Sequence, residues 1–114
     1  MRIVFWGTPL ISVPILENLI YSKHQIIAVI SQPDKKRGRG SKKIASPIKQ
    51  LAEENNIEVL TPEKIKNDEY CLKRLKELEP DIFIVIAFGQ LIPKEILEIP
   101  RYGSWNIHAS LLPR

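Results

Sequence analysis

Asn106 and His108 are the residues of this sequence best suited to chemistry. They stand two positions apart in a short apolar run near the end of the 114-residue chain. Side chains alternate between the two faces of a strand, so this amide and this imidazole point the same way if the segment is extended. An amide can donate to a developing oxyanion, and an imidazole can move a proton near neutral pH. We interpret the pair as catalytic, although a lone histidine is more often a surface or core residue.

Positive charge is concentrated between residues 34 and 49. The whole chain has a formal net charge of +4, whereas this segment alone has seven cations and one anion. The cations are Lys35, Lys36, Arg37, Arg39, Lys42, Lys43 and Lys49. A local basic patch indicates a polyanionic partner, and Gly38 and Gly40 favour a mobile loop that can follow a groove. Spacing alone does not distinguish RNA from DNA, or either from a merely solvated loop.

Two glycine-containing turns follow predicted strands, at residues 7–9 and 88–93. The first, Gly7-Thr8-Pro9, lacks the later glycines of a dinucleotide-binding fingerprint, which argues against a nicotinamide enzyme. Two histidines and one cysteine in the whole chain argue against a zinc site. The second turn could be a plain strand–helix junction. Its expected closeness to Asn106 and His108 favours a ligand site.

Apolar periodicity predicts five strands that alternate with helices. The strands are expected at residues 3–6, 25–31, 57–60, 82–87 and 103–108, the last of them buried. Helices are expected from Thr8-Pro9, from Ser46-Pro47, from Thr61 with a break near residues 67–68, and from Pro93. This alternation predicts an α/β fold with a doubly wound, mostly parallel sheet. Ligands of such sheets bind at the carboxyl ends of the strands.

The remaining composition bears on the compartment. No apolar run approaches the ~20 residues that span a bilayer, and the apolar start is interrupted too early by Gly7 and Pro9 for a signal peptide. A lone cysteine, Cys71, excludes an internal disulfide and suits a reducing compartment. We therefore expect a cytoplasmic protein without a membrane partner.

Two groups of motifs extend along nearly the whole chain. The first group comprises Val4-Phe5-Trp6-Gly7-Thr8-Pro9, Gln32-Pro33-Asp34, Gly38-Arg39-Gly40 and Ser46-Pro47. The second comprises Ala87-Phe88-Gly89-Gln90-Leu91-Ile92-Pro93 and Asn106-Ile107-His108-Ala109-Ser110-Leu111-Leu112-Pro113-Arg114. The second group looks like folate-dependent formyltransferases in general. The Gly-Thr-Pro turn and the Gln-Pro-Asp with its basic loop look specifically like the tRNA enzyme, so the chain as a whole resembles the methionyl-tRNA formyltransferase family.

The resemblance implies a Rossmann-like domain that transfers a formyl group in translation initiation. The donor would be 10-formyltetrahydrofolate, the acceptor the α-amine of methionine on initiator methionyl-tRNA, and no metal would be needed. Asn106 and His108 match two members of the family's catalytic triad, whose aspartate would follow Arg114. Residues 1–114 would then be the N-terminal part of the catalytic domain. The rest of that domain and a C-terminal tRNA-binding barrel would be absent, so this stretch alone is expected to be inactive.

The resemblance also implies binding residues. The folate pocket would include Phe88, Gly89, Gln90, Leu91, Ile92, Pro93, Ser110, Leu111, Leu112 and Pro113. The tRNA acceptor stem would contact Gly7, Thr8, Pro9, Lys35, Lys36, Arg37, Arg39, Lys42 and Lys43, with Arg39 at the most specific position of the loop.

Two other functions remain open. One is a folate-dependent formyltransferase that acts on a small amine such as glycinamide ribonucleotide, which would have no need of the basic loop. The other is a noncatalytic RNA-binding module, which would leave Asn106, His108 and the Ser-Leu-Leu-Pro run unexplained.

Overall fold

The computed structural model describes residues 1–7, 12–33, 35–37, 42–44 and 46–107, with residues 35–37 and 42–44 considered through their backbone. Its elements in chain order are β1 (Arg2–Gly7), α1 (Ser12–Ile20), β2 (Gln25–Ile30), β3 (Lys35–Arg37), β4 (Lys42–Ile44), α2 (Pro47–Glu54), β5 (Glu58–Leu60), α3 (Glu69–Leu78), β6 (Ile82–Ile86), α4 (Lys94–Leu97) and β7 (Ser104–Ile107).

The predicted doubly wound sheet is confirmed. Its five described strands run in the order β5-β2-β1-β6-β7, and every neighbouring pair is parallel. The chain starts at the centre, moves out to β5, and then crosses back to β6 and β7. The strand order therefore reverses between β1 and β6, which is where such sheets place their ligands.

Each face of the sheet buries its own apolar cluster. Trp6 and Phe83 lie on one face, under α3, α4 and the loop at residues 61–68. Phe5 and Val29 lie on the other, under α1 and α2. Neighbouring residues of β1 thus point to opposite faces and are both fully buried, as expected for a parallel strand covered on both sides.

The helix predictions have mixed outcomes. Helix α2 begins as predicted, because the Ser46 hydroxyl accepts a hydrogen bond from the Lys49 amide at 3.1 Å. The short helix after Pro93 is also confirmed. The predicted start of α1 at Thr8-Pro9 lies outside the described residues. All helices of the described ranges are too short or too polar to cross a lipid bilayer.

The prediction that the third helix begins at Thr61 is wrong, since α3 begins at Glu69. Asp68 caps it by accepting from the Cys71 amide at 2.9 Å, and Asn67 before it has a left-handed backbone with φ of 66°. The preceding residues take an irregular path in which Pro62 and Ile65 are buried. Thr-Pro-Glu is a helix-start signal, but a better cap seven residues later, together with the burial of Ile65, prevails.

The basic segment is more ordered than the predicted mobile loop. Strands β3 and β4 pair in antiparallel register, Lys35 opposite Ile44 and Arg37 opposite Lys42. Such pairing satisfies backbone groups that a loop would leave to water. The sequence concealed it because lysine has a low strand propensity and the pattern shows no apolar alternation. Gly38, Arg39 and Gly40 lie outside the described residues.

Strand β7 was expected to be buried, and this expectation is wrong for its central part. Trp105 is 63% exposed, and Asn106 is exposed as well. Among the described strands β7 pairs with β6 alone. β7 is thus at the edge of the described sheet, and the face on which Trp105 lies is uncovered at this position.

Candidate active site

A cleft of about 600 Å³ opens at the carboxyl ends of β6 and β7. Its lining consists of Val85, Ala87, Phe88, Gly89, Gln90, Leu91, Ile92, Leu97, Ser104, Asn106 and Ile107. The volume lies in the range of small-molecule sites, which combine an apolar lining with a few polar groups. The turn and the strand end that the sequence analysis assigned to one site therefore border the same cleft.

A second cleft of similar size, about 610 Å³, lies at the opposite edge of the sheet around Arg2 and Asp81. Two of its charged residues, Arg2 and Asp81, make hydrogen bonds within the protein. The Arg2 guanidinium donates to the carbonyls of Leu78 and Glu79 at the end of α3, and the Arg2 amide donates to the Asp81 carboxylate. We therefore assign the site to the carboxyl edge, as the topology of a parallel sheet predicts.

Asn106 is placed by its pairing with β6. It lies opposite Val85 in the parallel ladder, and it is exposed where it borders the cleft. Ser104 shares its face of the strand, and the Ser104 hydroxyl donates to the Leu97 carbonyl at 2.8 Å. This bond ties the end of α4 to β7 and so fixes one side of the cleft. The Asn106 side chain is exposed at the cleft.

The turn after β6 depends on unusual backbone conformations. Ala87 and Gly89 both have positive φ, 44° and 92° respectively. Phe88 between them turns its ring inward, where it is 2% exposed and packs edge-on against Trp6 at 5.1 Å. Leu91 is 94% exposed. The wall is thus anchored by one buried ring and presents its backbone and Leu91 outward.

Gln90 makes its contacts inside the protein. Its Nε2 donates to the Pro62 carbonyl at 3.1 Å, and its Oε1 accepts from the Ile65 amide at 2.6 Å. The same Nε2 also donates to Oε1 of Gln32 at 2.8 Å. Gln90 therefore holds the loop after β5 against the wall of the cleft.

Gln32 continues this set of hydrogen bonds. It follows β2, and its Nε2 donates to the Phe88 carbonyl at 2.9 Å. A Cβ added at Gly89 would stand 2.7 Å from that same Nε2, so the wall and Gln32 are in close contact. This role is not visible in the sequence, because Gln32 and Gln90 are separated by 58 residues. No local pattern reveals a contact between two residues that far apart.

Gly7 and Pro93 lie away from the cleft lining. Gly7 ends β1, and a Cβ there would stand 3.0 Å from the Ser12 hydroxyl and 3.1 Å from the Ile86 carbonyl oxygen. Its lack of a side chain thus has a packing explanation. Pro93 precedes α4 and is half-buried.

The other predicted site residues divide into two groups. Lys35, Lys36, Arg37, Lys42 and Lys43 belong to the β3–β4 hairpin. Those outside the described residues are Thr8, Pro9, Arg39, His108, Ser110, Leu111, Leu112 and Pro113.

The described lining of the cleft contains no ionisable side chain. Its polar groups are amides, a hydroxyl and backbone carbonyls, which can donate or accept hydrogen bonds but do not carry protons near neutral pH. Burial raises the pKa of the Cys71 thiol to about 12, so this cysteine is inert at neutral pH. Within the described ranges no group of three His, Cys, Asp or Glu side chains is arranged to hold a metal ion.

Known proteins are similar to this chain over its whole length. A family model described as "Formyl transferase" matches residues 1–114. A methionyl-tRNA formyltransferase of Prochlorococcus marinus (strain MIT 9215) is 62% identical over 114 residues, which are 100% of this chain and 35% of the relative. One from Sulfurihydrogenibium sp. (strain YO3AOP1) is 51% identical over 113 residues, 99% of this chain and 36% of the relative. The chain thus spans about a third of the length of the curated relatives it matches. It belongs to the formyl transferase family.

Proposed function

We propose that this chain provides the formyl-donor cleft and the RNA-binding hairpin of a methionyl-tRNA formyltransferase. The reaction would move a formyl group from 10-formyltetrahydrofolate to the α-amine of methionine on initiator tRNA. Residues 1–114 would form the N-terminal part of the catalytic domain of a cytoplasmic enzyme. The names of the relatives support methionyl-tRNA as the acceptor of a formyl group, and the geometry of the cleft supports the assignment of residues.

One observation carries the proposal: Asn106 borders the same cleft as the turn at residues 88–92. In this arrangement a formyl group bound against the turn would lie beside a hydrogen-bond donor. When an amine adds to the formyl carbon, the carbonyl oxygen becomes negative. Stabilising that oxygen with a fixed amide is a principal way in which enzymes lower such barriers.

The cleft suits a folate in size and chemistry. A pterin is a flat ring with hydrogen-bonding groups along its edge, and a site for it needs apolar contacts together with backbone donors and acceptors. Val85, Ile92 and Leu97 supply the apolar contacts, and the turn after β6 supplies backbone groups. Because the amide of Gln90 is already bonded within the protein, we assign it to holding the wall and not to the pterin.

The proposed steps follow from these residues. The cleft positions the donor, and the Asn106 amide stabilises the oxygen as the new C–N bond forms. The attacking amine loses a proton, the bond between the formyl carbon and the folate nitrogen breaks, and that nitrogen takes up one proton, so the transfer leaves the proton balance unchanged. His108 is the proposed proton carrier, because the described lining has none.

The acceptor side of the proposal rests on the basic hairpin. Gln32 and Pro33 connect the carboxyl end of β2 to β3, so the hairpin leaves the sheet at the same edge as the cleft. Five of its cations lie on β3 and β4. We assign them to the phosphates of the acceptor stem of initiator tRNA, which would bring the charged 3′ end towards Asn106.

The test is a comparison of acceptors with the full-length protein that contains this chain. Initiator methionyl-tRNA and glycinamide ribonucleotide are each supplied with 10-formyltetrahydrofolate, and formylated product is measured. We expect formylated product with initiator methionyl-tRNA and none with glycinamide ribonucleotide. Turnover of the small amine alone would contradict the proposal in favour of a small-substrate formyltransferase. Tight tRNA binding without any formyl transfer would indicate a noncatalytic RNA-binding module.

A further inference from the structure

Three loops at the carboxyl edge are joined by the side chains of Gln32 and Gln90. These loops follow β2, β5 and β6, and the last of them forms the wall of the cleft. Both glutamines are half-buried, so their hydrogen bonds are partly shielded from water. Gln90 borders the cleft, whereas Gln32 is not part of its lining.

The hydrogen bonds of this pair have a fixed direction. Nε2 of Gln90 faces two oxygen acceptors, Gln32 Oε1 and the Pro62 carbonyl, while its Oε1 faces the Ile65 amide. Turning either glutamine amide around would set oxygen against oxygen or N–H against N–H. The chemistry of each position therefore matters as well as its size.

The close approach at Gly89 adds an independent constraint. Gly89 has a left-handed backbone, and a Cβ there would stand 2.7 Å from Nε2 of Gln32, so a side chain at this position would require the Gln32 amide to shift. The wall is therefore held against Gln32 by contact as well as by the bond to the Phe88 carbonyl. Replacing Gln32 would therefore alter the position of this wall and, with it, the shape of the cleft.

We propose that Gln32 and Gln90 are positioning residues for the folate. The hydrogen bond between them fixes the wall at residues 88–92 relative to the strand end from which the basic hairpin leaves. This inference rests on the proposed function and deepens it, since it assigns the placement of the donor site to two residues that need not touch the donor. The same bond connects the donor site to the base of the acceptor-binding hairpin.

The first test uses Gln90→Glu in the full-length protein, with affinity for the air-stable 5-formyltetrahydrofolate measured by calorimetry. An ionised carboxylate at this position places negative charge against Gln32 Oε1 and the Pro62 carbonyl. A protonated carboxyl group again has one O–H to donate. Relative to wild type at the same pH, we expect folate binding about tenfold weaker at mildly alkaline pH. Binding should recover as pH falls through the pKa of the introduced carboxyl group.

The second variant is Gln32→Leu, with Gln25→Leu as its matched control. Gln25 is exposed at the amino end of β2, whereas Gln32 follows its carboxyl end, and Gln25 is not part of the cleft lining. We expect Gln32→Leu to weaken folate binding about tenfold at mildly alkaline pH and equally at the lower pH where Gln90→Glu recovers. We expect Gln25→Leu to leave folate binding unchanged.

The outcomes separate this inference from the proposed function. If the wild-type protein binds folate but Gln90→Glu and Gln32→Leu bind it as Gln25→Leu does, the positioning role is wrong. A loss in Gln90→Glu that is equal at every pH also contradicts it, because a merely structural defect has no such pH dependence. Should Gln32→Leu fail to fold, the pH dependence of Gln90→Glu still decides. A wild-type protein that binds no folate contradicts the proposed function, and this inference with it.

Discussion

The ring of Phe88 stands almost perpendicular to the indole of Trp6, with an interplanar angle of 86° and ring centroids 5.1 Å apart. This contact joins the wall of the cleft to the centre of the sheet, because Trp6 lies on β1 and is fully buried. A residue that the sequence indicated as a pocket wall is thus also part of the core. Binding surface and core packing meet at one side chain.

Phe88→Ala should therefore destabilise the protein substantially. Removing a fully buried ring typically costs about 3–5 kcal/mol, which includes the cavity that it leaves. Leu91→Ala is the matched control, because Leu91 belongs to the same turn but is 94% exposed. Urea unfolding monitored by circular dichroism measures both. A midpoint for Phe88→Ala equal to that of Leu91→Ala would show that the ring does not support the core.

Gly89→Ala should be more damaging than Gly103→Ala. Both glycines have left-handed φ, 92° and 86°, so both substitutions carry similar backbone strain. At Gly89 the new Cβ also meets Gln32 Nε2 at 2.7 Å, whereas nothing lies within 4 Å of a Cβ at Gly103. We expect a lower melting temperature and weaker folate binding for Gly89→Ala. Equal effects of the two variants would rule out the contact with Gln32 as the cause.

Neutralising the basic hairpin should weaken tRNA binding without slowing the chemical step. The variant replaces Lys35, Lys36, Arg37, Arg39, Lys42 and Lys43 with glutamine. We expect KM for tRNA to rise and kcat at saturating tRNA to remain equal to that of the wild type. The slope of log K for tRNA binding against log salt concentration should become shallower by roughly 0.7–0.9 for each phosphate that the hairpin no longer neutralises.

The control for the hairpin replaces Lys73 and Lys76 of α3, two exposed lysines on a different element. Its tRNA affinity should match wild type. An unchanged KM in the hairpin variant, or an equal rise in the control, would count against an RNA-binding role for the hairpin.

Acid should remove a modest part of the stability through Glu58. A bidentate hydrogen bond from Arg74, at 2.6 and 2.7 Å, holds the pKa of this carboxyl below its usual 4.5. A carboxyl whose pKa is lowered by folding stabilises the protein above its unfolded pKa, and that contribution is lost as pH falls through the folded pKa. The effect is modest because both side chains are about a third exposed. Glu58→Gln should be less stable than wild type at neutral pH, with the difference closing below pH 4.5; a constant difference would contradict the assignment.

The sequence predicted those parts of the fold that depend on local pattern. Strands β2 and β6 are continuous apolar runs, and Ser46-Pro47 is a complete helix-start signal, so each was recognisable without tertiary contacts. The start of α3 was missed because Thr61-Pro62 also carries a local helix-start signal, and the cap at Asp68 together with the burial of Ile65 decides against it. The hairpin was missed because lysine-rich strands lack apolar alternation.

The candidate site could likewise be predicted only where it follows from the sheet topology. The shared cleft of Asn106 and the turn after β6 followed from the rule that parallel strands place their carboxyl ends at one edge. The bonding of Gln90 to Gln32 did not, since it depends on side-chain contacts between distant loops. The exposure of Trp105 depends on what packs on its face of the sheet, which no pattern within β7 can show.

The central claim is that formyl transfer takes place beside Asn106, and Asn106→Ala tests it most directly. In the full-length protein with saturating 10-formyltetrahydrofolate and initiator methionyl-tRNA, removing one oxyanion donor should lower kcat by about 10²–10³, with little change in tRNA affinity. Asn55→Ala, at the end of α2 and away from the cleft, serves as the control and should retain the wild-type kcat. A kcat for Asn106→Ala equal to that of Asn55→Ala would contradict the account.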